Sequence, residues 1–181
     1  MGKTQMGIIL IIISSVFILL GLFRKRNNFI DLNSVFVKHF SMFKTARIQF
    51  IVIYICTLIL AIGISLVYVA DGTLYQNIIV VMSIFASMLM VMLSVIKSKD
   101  LSKYNGDDKK RIDGIMKETD AQVMYCTCIC MFEIIVSLIM IALSNLDIPT
   151  ILTIMSVITY YLIEILTLNI LIVVKRLGKL T

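Results

Sequence analysis

Two long apolar runs near the end of the chain read QVMYCTCICMFEIIVSLIMIALS at 122–144 and PTILTIMSVITYYLIEILTLNILIV at 149–173. Each can cross a bilayer, because a spanning helix needs about 20 apolar residues for about 30 Å of hydrocarbon. Three further runs also qualify: 6–23, 50–70 and 77–96. Hydrophobic residues make up 60% of the 181-residue chain, a share that exceeds the usage of soluble domains. The sequence predicts an all-α polytopic membrane protein in which residues 1–181 form a single membrane domain with five transmembrane helices.

The positive charges set the expected orientation. Of the 17 Lys and Arg residues, all except Lys3 lie in the 24–49 loop, in the 97–121 loop or in the tail after residue 173. Loops rich in Lys and Arg remain in the cytoplasm. We therefore expect a cell (inner) membrane protein whose N-terminus is outside and whose C-terminus is cytoplasmic. The charges suit an anionic lipid bilayer. No nucleic-acid motif accompanies them, so we do not expect a nucleic-acid partner.

The segment 27–49, between the first two spans, has apolar residues at helical spacing. They are Phe29, Leu32, Phe36, Phe40, Phe43 and, just beyond, Phe50. This spacing predicts an amphipathic helix in the cytoplasmic interface, with its phenylalanines in lipid. It is either a surface-anchored connector or a lever or docking face for another chain. His39, on the same helix, is expected to be an interfacial residue and not a catalytic base.

The charged loop 97–121 has a turn signal at 104–106, followed by Asp107 and Asp108. Acidic residues favour the first turn of a helix, so we expect a helix that begins there and continues into the fourth span. It is either a solvated extension or a partner-binding surface. The candidate residues for a partner or lipid surface are Arg24, Lys25, Arg26, Lys38, Lys44, Arg47, Lys109, Lys110 and Arg111.

Small and polar residues recur at helical spacing in every span. Helices in lipid approach one another through such residues, so each span should have one protein-facing side. From the first span to the fifth, the predicted faces are Gly7, Ser14 and Gly21; Tyr54, Thr57, Ala61, Ser65 and Tyr68; Ser83, Ser87 and Ser94; Cys126, Cys130, Glu133, Ser137 and Ser144; and Thr153, Ser156, Tyr160, Glu164 and Thr167.

Two glutamates interrupt the apolar runs, Glu133 in the fourth span and Glu164 in the fifth. A charge at such depth is expensive and usually functional. We expect the two carboxyls at one level on adjacent antiparallel helices. Three roles are open: protonated, hydrogen-bonded structural groups; a hydrated cation or proton path; or contacts to a helix of another membrane protein. The candidates for an ion path are Glu133, Glu164, Tyr160, Ser137 and Thr167.

Signatures of catalysis are missing from the sequence. The chain has one histidine, no H-E-x-x-H motif and no Gly-rich phosphate loop. Cys126, Cys128 and Cys130 alternate along one span, and both Cys and Met are ordinary apolar fillers in such a helix. We therefore expect no enzymatic activity, no cofactor and no bound metal.

The large charged cytoplasmic side and the very short external turns together indicate a function. We expect a non-enzymatic multipass membrane subunit that oligomerises, engages a cytoplasmic protein partner, and senses or relays a membrane event. The membrane component of a bacterial anti-phage defence system would be an example. The alternatives are a channel or small-solute or ion carrier that uses Glu133 and Glu164, and a toxin-immunity membrane protein.

Overall fold

The computed structural model describes residues 13–14, 32–43, 47–103, 105–143 and 149–178. Regular structure within these ranges is helical. The main helices are α1 (Leu32–Ser41), α2 (Arg47–Val67), α3 (Gly72–Ser98), α4 (Gly106–Leu143) and α5 (Pro149–Leu177). A short 3-10 turn, Leu101–Lys103, lies between α3 and α4. Most of the first predicted span, together with Arg24, Lys25, Arg26 and Lys44, lies outside the described residues.

Helices α2 to α5 are long and apolar enough to cross a membrane. They confirm the second to the fifth predicted spans as apolar helices. Large apolar side chains remain exposed on them, as on Leu66 and Val67 of α2, which are 76% and 90% exposed. Helix α1 confirms a helix within 27–49. Its position at a membrane surface and the orientation of the termini remain predictions.

The order of the helices in space differs from their order along the chain. Helix α4 packs against α3 on one side and against α5 on the other, while α2 packs against α5. Helices α2 and α3 are consecutive in the chain but make no comparable contact with each other. Helix α1 packs against α4. Helices α4 and α5 therefore form the middle of the bundle, and buried polar groups lie between them.

The six residues Ile51–Cys56 of α2 are wound as a π-helix. This wider winding places two consecutive residues, Ile53 and Tyr54, on the buried side of the helix. The helix returns to α-geometry at Thr57, whose hydroxyl donates a hydrogen bond of 2.5 Å to the Ile53 carbonyl. Short π-segments are rare and often mark functional positions. In this chain the π-segment carries Tyr54 into the bundle.

The helix ends follow the local sequence. Asp71 caps α3 by accepting a hydrogen bond of 2.8 Å from a backbone N–H of its first turn. Helix α4 starts at Gly106, whose φ of 56° suits glycine. Asp107 and Asp108 occupy its first turn, and it continues without a break into the fourth span, as predicted. Pro149 is the first residue of α5, where its missing N–H has no cost.

Burial tests the predicted protein-facing sides. The faces of α2 and α4 are largely confirmed, because these members are buried: Tyr54, Thr57, Ala61, Ser65, Cys126, Cys130, Glu133 and Ser137. Ser144, together with Gly7 and Gly21 of the first span, lies outside the described residues, and Ser14 is exposed. Tyr68 is exposed just after the end of α2. The face of α5 is only partly confirmed, since Ser156 is buried whereas Thr167 is exposed.

The prediction for α3 is wrong. Ser83, Ser87 and Ser94 are exposed, and each hydroxyl donates to a carbonyl of its own helix. A serine that is satisfied within its helix does not need a protein neighbour, so its presence does not mark the packed side. The buried side of α3 instead consists of Tyr75, Ile78, Met82, Leu89 and Ile96.

Candidate functional site

Two clusters of buried polar side chains lie in the bundle, and no member is more than 8% exposed. The His39 cluster consists of His39, Tyr54, Gln122, Tyr125 and Asn169. The Glu133 cluster consists of Tyr75, Glu133, Ser137, Ser156 and Thr159. Both clusters draw residues from three or more helices, and α4 and α5 contribute to each.

His39 reaches from α1 into the bundle and is completely buried. Its Nε2 lies 2.5 Å from the hydroxyl of Tyr54, which in turn donates to the Tyr125 hydroxyl at 3.4 Å. The imidazole stacks on the Tyr125 ring, with centroids 3.7 Å apart and planes inclined by 6°. Burial, followed by the nearby Arg176 cation, lowers the pKa of His39 from 6.5 to about 4. His39 is therefore a neutral side chain buried between helices, and its depth relative to the membrane stays a prediction.

Aromatic rings surround the imidazole. Phe36 meets the Tyr125 ring edge-on at 5.3 Å between centroids, and Phe43 meets the His39 ring at 5.3 Å. Phe43 is buried, whereas Phe40 is 40% exposed. Phe43, just after α1, packs into the bundle, so the prediction that these phenylalanines dip into lipid is wrong for Phe43. Phe36 is half-buried, and Phe29 lies outside the described residues. The buried side of α1 consists of Val35 and His39.

A pair of amides joins α4 to α5 in the same cluster. The Gln122 side-chain N–H donates to the Asn169 side-chain oxygen at 2.5 Å. The Asn169 amide also donates to the Ile165 carbonyl at 2.8 Å. Neither residue is among the candidates predicted from the sequence. The available signal was an asparagine within an apolar run, because buried amides seek partners.

The amide pair fixes the register of α4 against α5. Glu133 lies eleven residues beyond Gln122, whereas Glu164 lies only five residues before Asn169. Because the helices are antiparallel, both glutamates lie on the same side of the amide pair. Their depths differ by six residues, which is about 9 Å along the axis. This register does not support the expectation that the two carboxyls lie at one level.

Glu133 is completely buried at the centre of the second cluster. Ser137 donates to Oε1 of Glu133 at 3.5 Å, and Oε2 has no hydrogen-bond partner among the described residues. Thr159 of α5 lies beside Glu133 and also beside Tyr75 of α3. The hydroxyls of Thr159 and Tyr75 are buried and likewise lack hydrogen-bond partners within the described part of the chain. The cluster therefore contains three unsatisfied oxygen atoms.

The other ion-path candidates lie apart from this cluster or at its edge. Both oxygens of Glu164 are shielded from solvent and have no hydrogen-bond partner among the described residues. Tyr160 is half-buried, and its hydroxyl is also without a partner there. Thr167 is exposed and donates to the Ile163 carbonyl of its own helix. Of the five candidates, the structure joins Glu133 to Ser137 by a hydrogen bond.

The basic candidates are on the surface. Lys38, Arg47, Lys109, Lys110 and Arg111 are all exposed. Sequence analysis missed the role of one further cation. Arg176 of α5 forms an ion pair of 3.2 Å with Glu118 of α4 and contacts the Met42 sulfur at 3.2 Å.

Within the described ranges, no group of three or more His, Cys, Asp or Glu side chains could hold a metal ion. The four cysteines are free thiols. A shallow groove lies between the beginning of α2 and the end of α5. It is lined mainly by apolar side chains such as Val52 and Leu171, with Lys175 and Arg176 among the lining residues.

Comparisons of this chain with protein-family models, curated proteins and solved structures found no match. The class of the protein therefore rests on its own fold. Its described residues form helices, four of which are long and apolar enough to cross a membrane. Its distinguishing features are the two buried polar clusters and a long charged extension of α4.

Proposed function

We propose that the protein is a non-enzymatic multipass membrane subunit that oligomerises and relays a membrane event to a cytoplasmic protein partner. The observation that carries this proposal is the length of α4, which has 38 residues without a break. At 1.5 Å per residue the helix is about 57 Å long, almost twice the hydrocarbon thickness of about 30 Å. One continuous helix thus connects the exposed residues Lys109 and Arg111 to the buried Glu133.

Contacts at the charged end of the bundle support a relay. We define this end as the one where α2 and α4 begin and where α3 and α5 finish. Arg176 ties α5 to Glu118 of α4 and to Met42 after α1. His39 of α1 stacks on Tyr125 of α4. A displacement of α4 therefore also moves α1 and α5, because both helices contact α4 at this end.

The proposed orientation has the charged end in the cytoplasm and the N-terminus outside, in the cell (inner) membrane. The positive-inside rule supports it, because the basic residues cluster at this end. Anionic headgroups would meet Lys38, Arg47 and Lys175, all of which are exposed. An acyl chain suits the apolar groove between α2 and α5.

The test is a charge reversal on the α4 extension, with Lys109, Lys110 and Arg111 all changed to Glu. We expect membrane insertion and self-association to persist and the cytoplasmic partner to be lost from the native complex in mass spectrometry. The matched control exchanges Lys and Arg at the same three positions, which keeps the charge. Retention of the partner by the Glu variant would refute this surface as the docking face.

A second candidate function is an ion or small-solute carrier that uses Glu133 and Glu164. The observation in its favour is that three of the four carboxyl oxygens are buried without hydrogen-bond partners in the described structure. Ionisable carboxyl groups buried within a membrane commonly mark ion pathways. We expect Glu133→Gln or Glu164→Gln to abolish flux in liposomes while assembly persists. Absence of flux in the wild type under every ion gradient would refute the candidate.

A further inference from the structure

We propose that the Glu133 cluster is a binding site for one dehydrated alkali cation, with Na⁺ as the probe. The ligands would be the Glu133 carboxylate and the hydroxyls of Tyr75, Ser137 and Thr159. The site does not depend on a cytoplasmic partner. The proposed site extends the carrier candidate, because it names the class of ion that a carrier would bind. A protein that does not transport ions could also contain such a site.

Charge is the first argument. Glu133 is 0% exposed, and an isolated carboxylate in such surroundings is strongly unfavourable. Among the described residues neither ion pair involves Glu133. Its one hydrogen bond, from Ser137, is long at 3.5 Å. A single positive charge makes the site neutral, whereas a divalent ion would leave a net charge of one buried there.

The unused oxygen atoms are the second argument. Oε2 of Glu133 and the hydroxyls of Tyr75 and Thr159 are buried without hydrogen-bond partners in the described structure. Buried polar atoms normally have partners, and these three oxygen atoms, on α3, α4 and α5, are available to a ligand. A cation can draw on lone pairs of all three oxygen atoms at once. Carboxylate and hydroxyl oxygens are the ligands that hard cations prefer.

Glu164 provides an internal comparison. It is only half-buried, and the register places it about 9 Å from the depth of Glu133. Hydroxyl groups of α3 and α5 lie around Glu133, whereas Glu164 has no hydrogen-bond donor in the described structure. The proposed site therefore predicts that Na⁺ acts on one carboxyl and not on the other.

The experiment is carbodiimide labelling of the full chain in lipid nanodiscs. Dicyclohexylcarbodiimide modifies protonated carboxyls in apolar surroundings, and peptide mass spectrometry separates Glu133 from Glu164. Labelling rates are compared in NaCl and in choline chloride at equal ionic strength and fixed pH. We expect Na⁺ to slow the labelling of Glu133 in a saturable manner and to leave the labelling of Glu164 unchanged.

The variant Thr159→Val removes one ligand at nearly constant volume. We expect the Na⁺ concentration for half-protection to rise about tenfold, the effect of one lost polar contact. Should this variant fail to fold, Ser137→Ala tests a second ligand in the same way. Absence of Na⁺ protection at Glu133, or equal protection at Glu164, would overturn the proposal.

A thermal measurement covers the case in which Glu133 reacts in neither salt. Na⁺ should then raise the Tm of the wild type but not that of Glu133→Gln, which has no carboxylate. A Tm that does not respond to Na⁺ would overturn the site. Partner binding by the α4 extension is read separately by mass spectrometry, so failure of this proposal is distinguishable from failure of the proposed relay.

Discussion

Acidification should release α1 from the bundle through His39. The released helix exposes His39 to water, where its pKa returns to 6.5, whereas in the docked helix the pKa is about 4. Between these values the released form binds more protons than the docked form. Docking is therefore fully favoured above about pH 6.5 and loses stability as the pH falls towards 4. The groups that face the ring are Arg176, Tyr54 and Tyr125.

The magnitude follows from the two pKa values. The full difference of about 2.5 pKa units corresponds to about 3 kcal/mol. At about pH 5 the loss relative to neutral pH is about 2 kcal/mol, or about thirtyfold in the docking equilibrium. This is a large fraction of what a helix of 10 residues can contribute through packing. A helix of this length is marginal alone, so release should also unfold it.

Amide hydrogen exchange of the α1 peptide measures this equilibrium. The control variant is His39→Phe, which retains an aromatic ring against Tyr125 but cannot titrate. Comparison of the two proteins at the same pH cancels most of the intrinsic pH dependence of exchange. We expect wild-type protection, relative to the variant, to fall by about thirtyfold between about pH 7.5 and about pH 5. A ratio that is constant over this range would refute the reasoning.

Two further predictions concern α4. The single variants Gln122→Leu and Asn169→Leu each remove one partner of the buried amide hydrogen bond and should each lower the free energy of unfolding by about 1–3 kcal/mol. The double variant should recover part of this loss. A double-mutant cycle in lipid should give a coupling energy of about 1 kcal/mol between the two residues. The free energies of unfolding are measured in denaturant or by steric trapping. Additive losses would contradict the amide pair. At Gly106, where φ is 56°, Ala should cost about 1 kcal/mol in amide protection of the first turn of α4, and Asn should cost less because it tolerates this conformation. Equal effects of Ala and Asn would contradict the assigned backbone.

Local patterns were sufficient to predict the helices. Apolar run length located α2 to α5, and Asp107 with Asp108 predicted a helix that continues into the fourth span. Pro149 predicted the beginning of α5. These features depend on a few neighbouring residues and on the thickness of a bilayer, so they can be read without knowledge of the fold. The buried polar faces of α2 and α4 were predictable for the same reason.

The short turn between the last two spans predicted that α4 and α5 are neighbours, and they pack together. The pairing of the other helices, and with it much of the candidate site, was not predictable. Helix α2 packs on α5 and not on its neighbour α3, a choice that depends on contacts between distant parts of the chain. Lys38, next to His39 in the chain, gives no sign that the partners of His39 are Tyr54 and Tyr125. The depth of Glu164 required the register, which a single amide hydrogen bond reveals. Side-chain spacing along one helix contains no information of this kind.

Both polar clusters have members on α4. This shared helix constrains how a signal could pass between them. Tyr125 and Glu133 lie eight residues apart on α4, or about 12 Å along its axis. Helix α5 contributes Asn169 to one cluster and Thr159 to the other, so any shift of α4 against α5 alters both. Thermodynamic reciprocity then applies: if Na⁺ at Glu133 strengthens docking of α1 by some factor, docking strengthens Na⁺ binding by the same factor. A relay through α4 therefore requires that His39→Phe, which changes only the His39 cluster, also change the Na⁺ concentration that protects Glu133. Independence of the two would mean that the clusters are structural neighbours without energetic coupling.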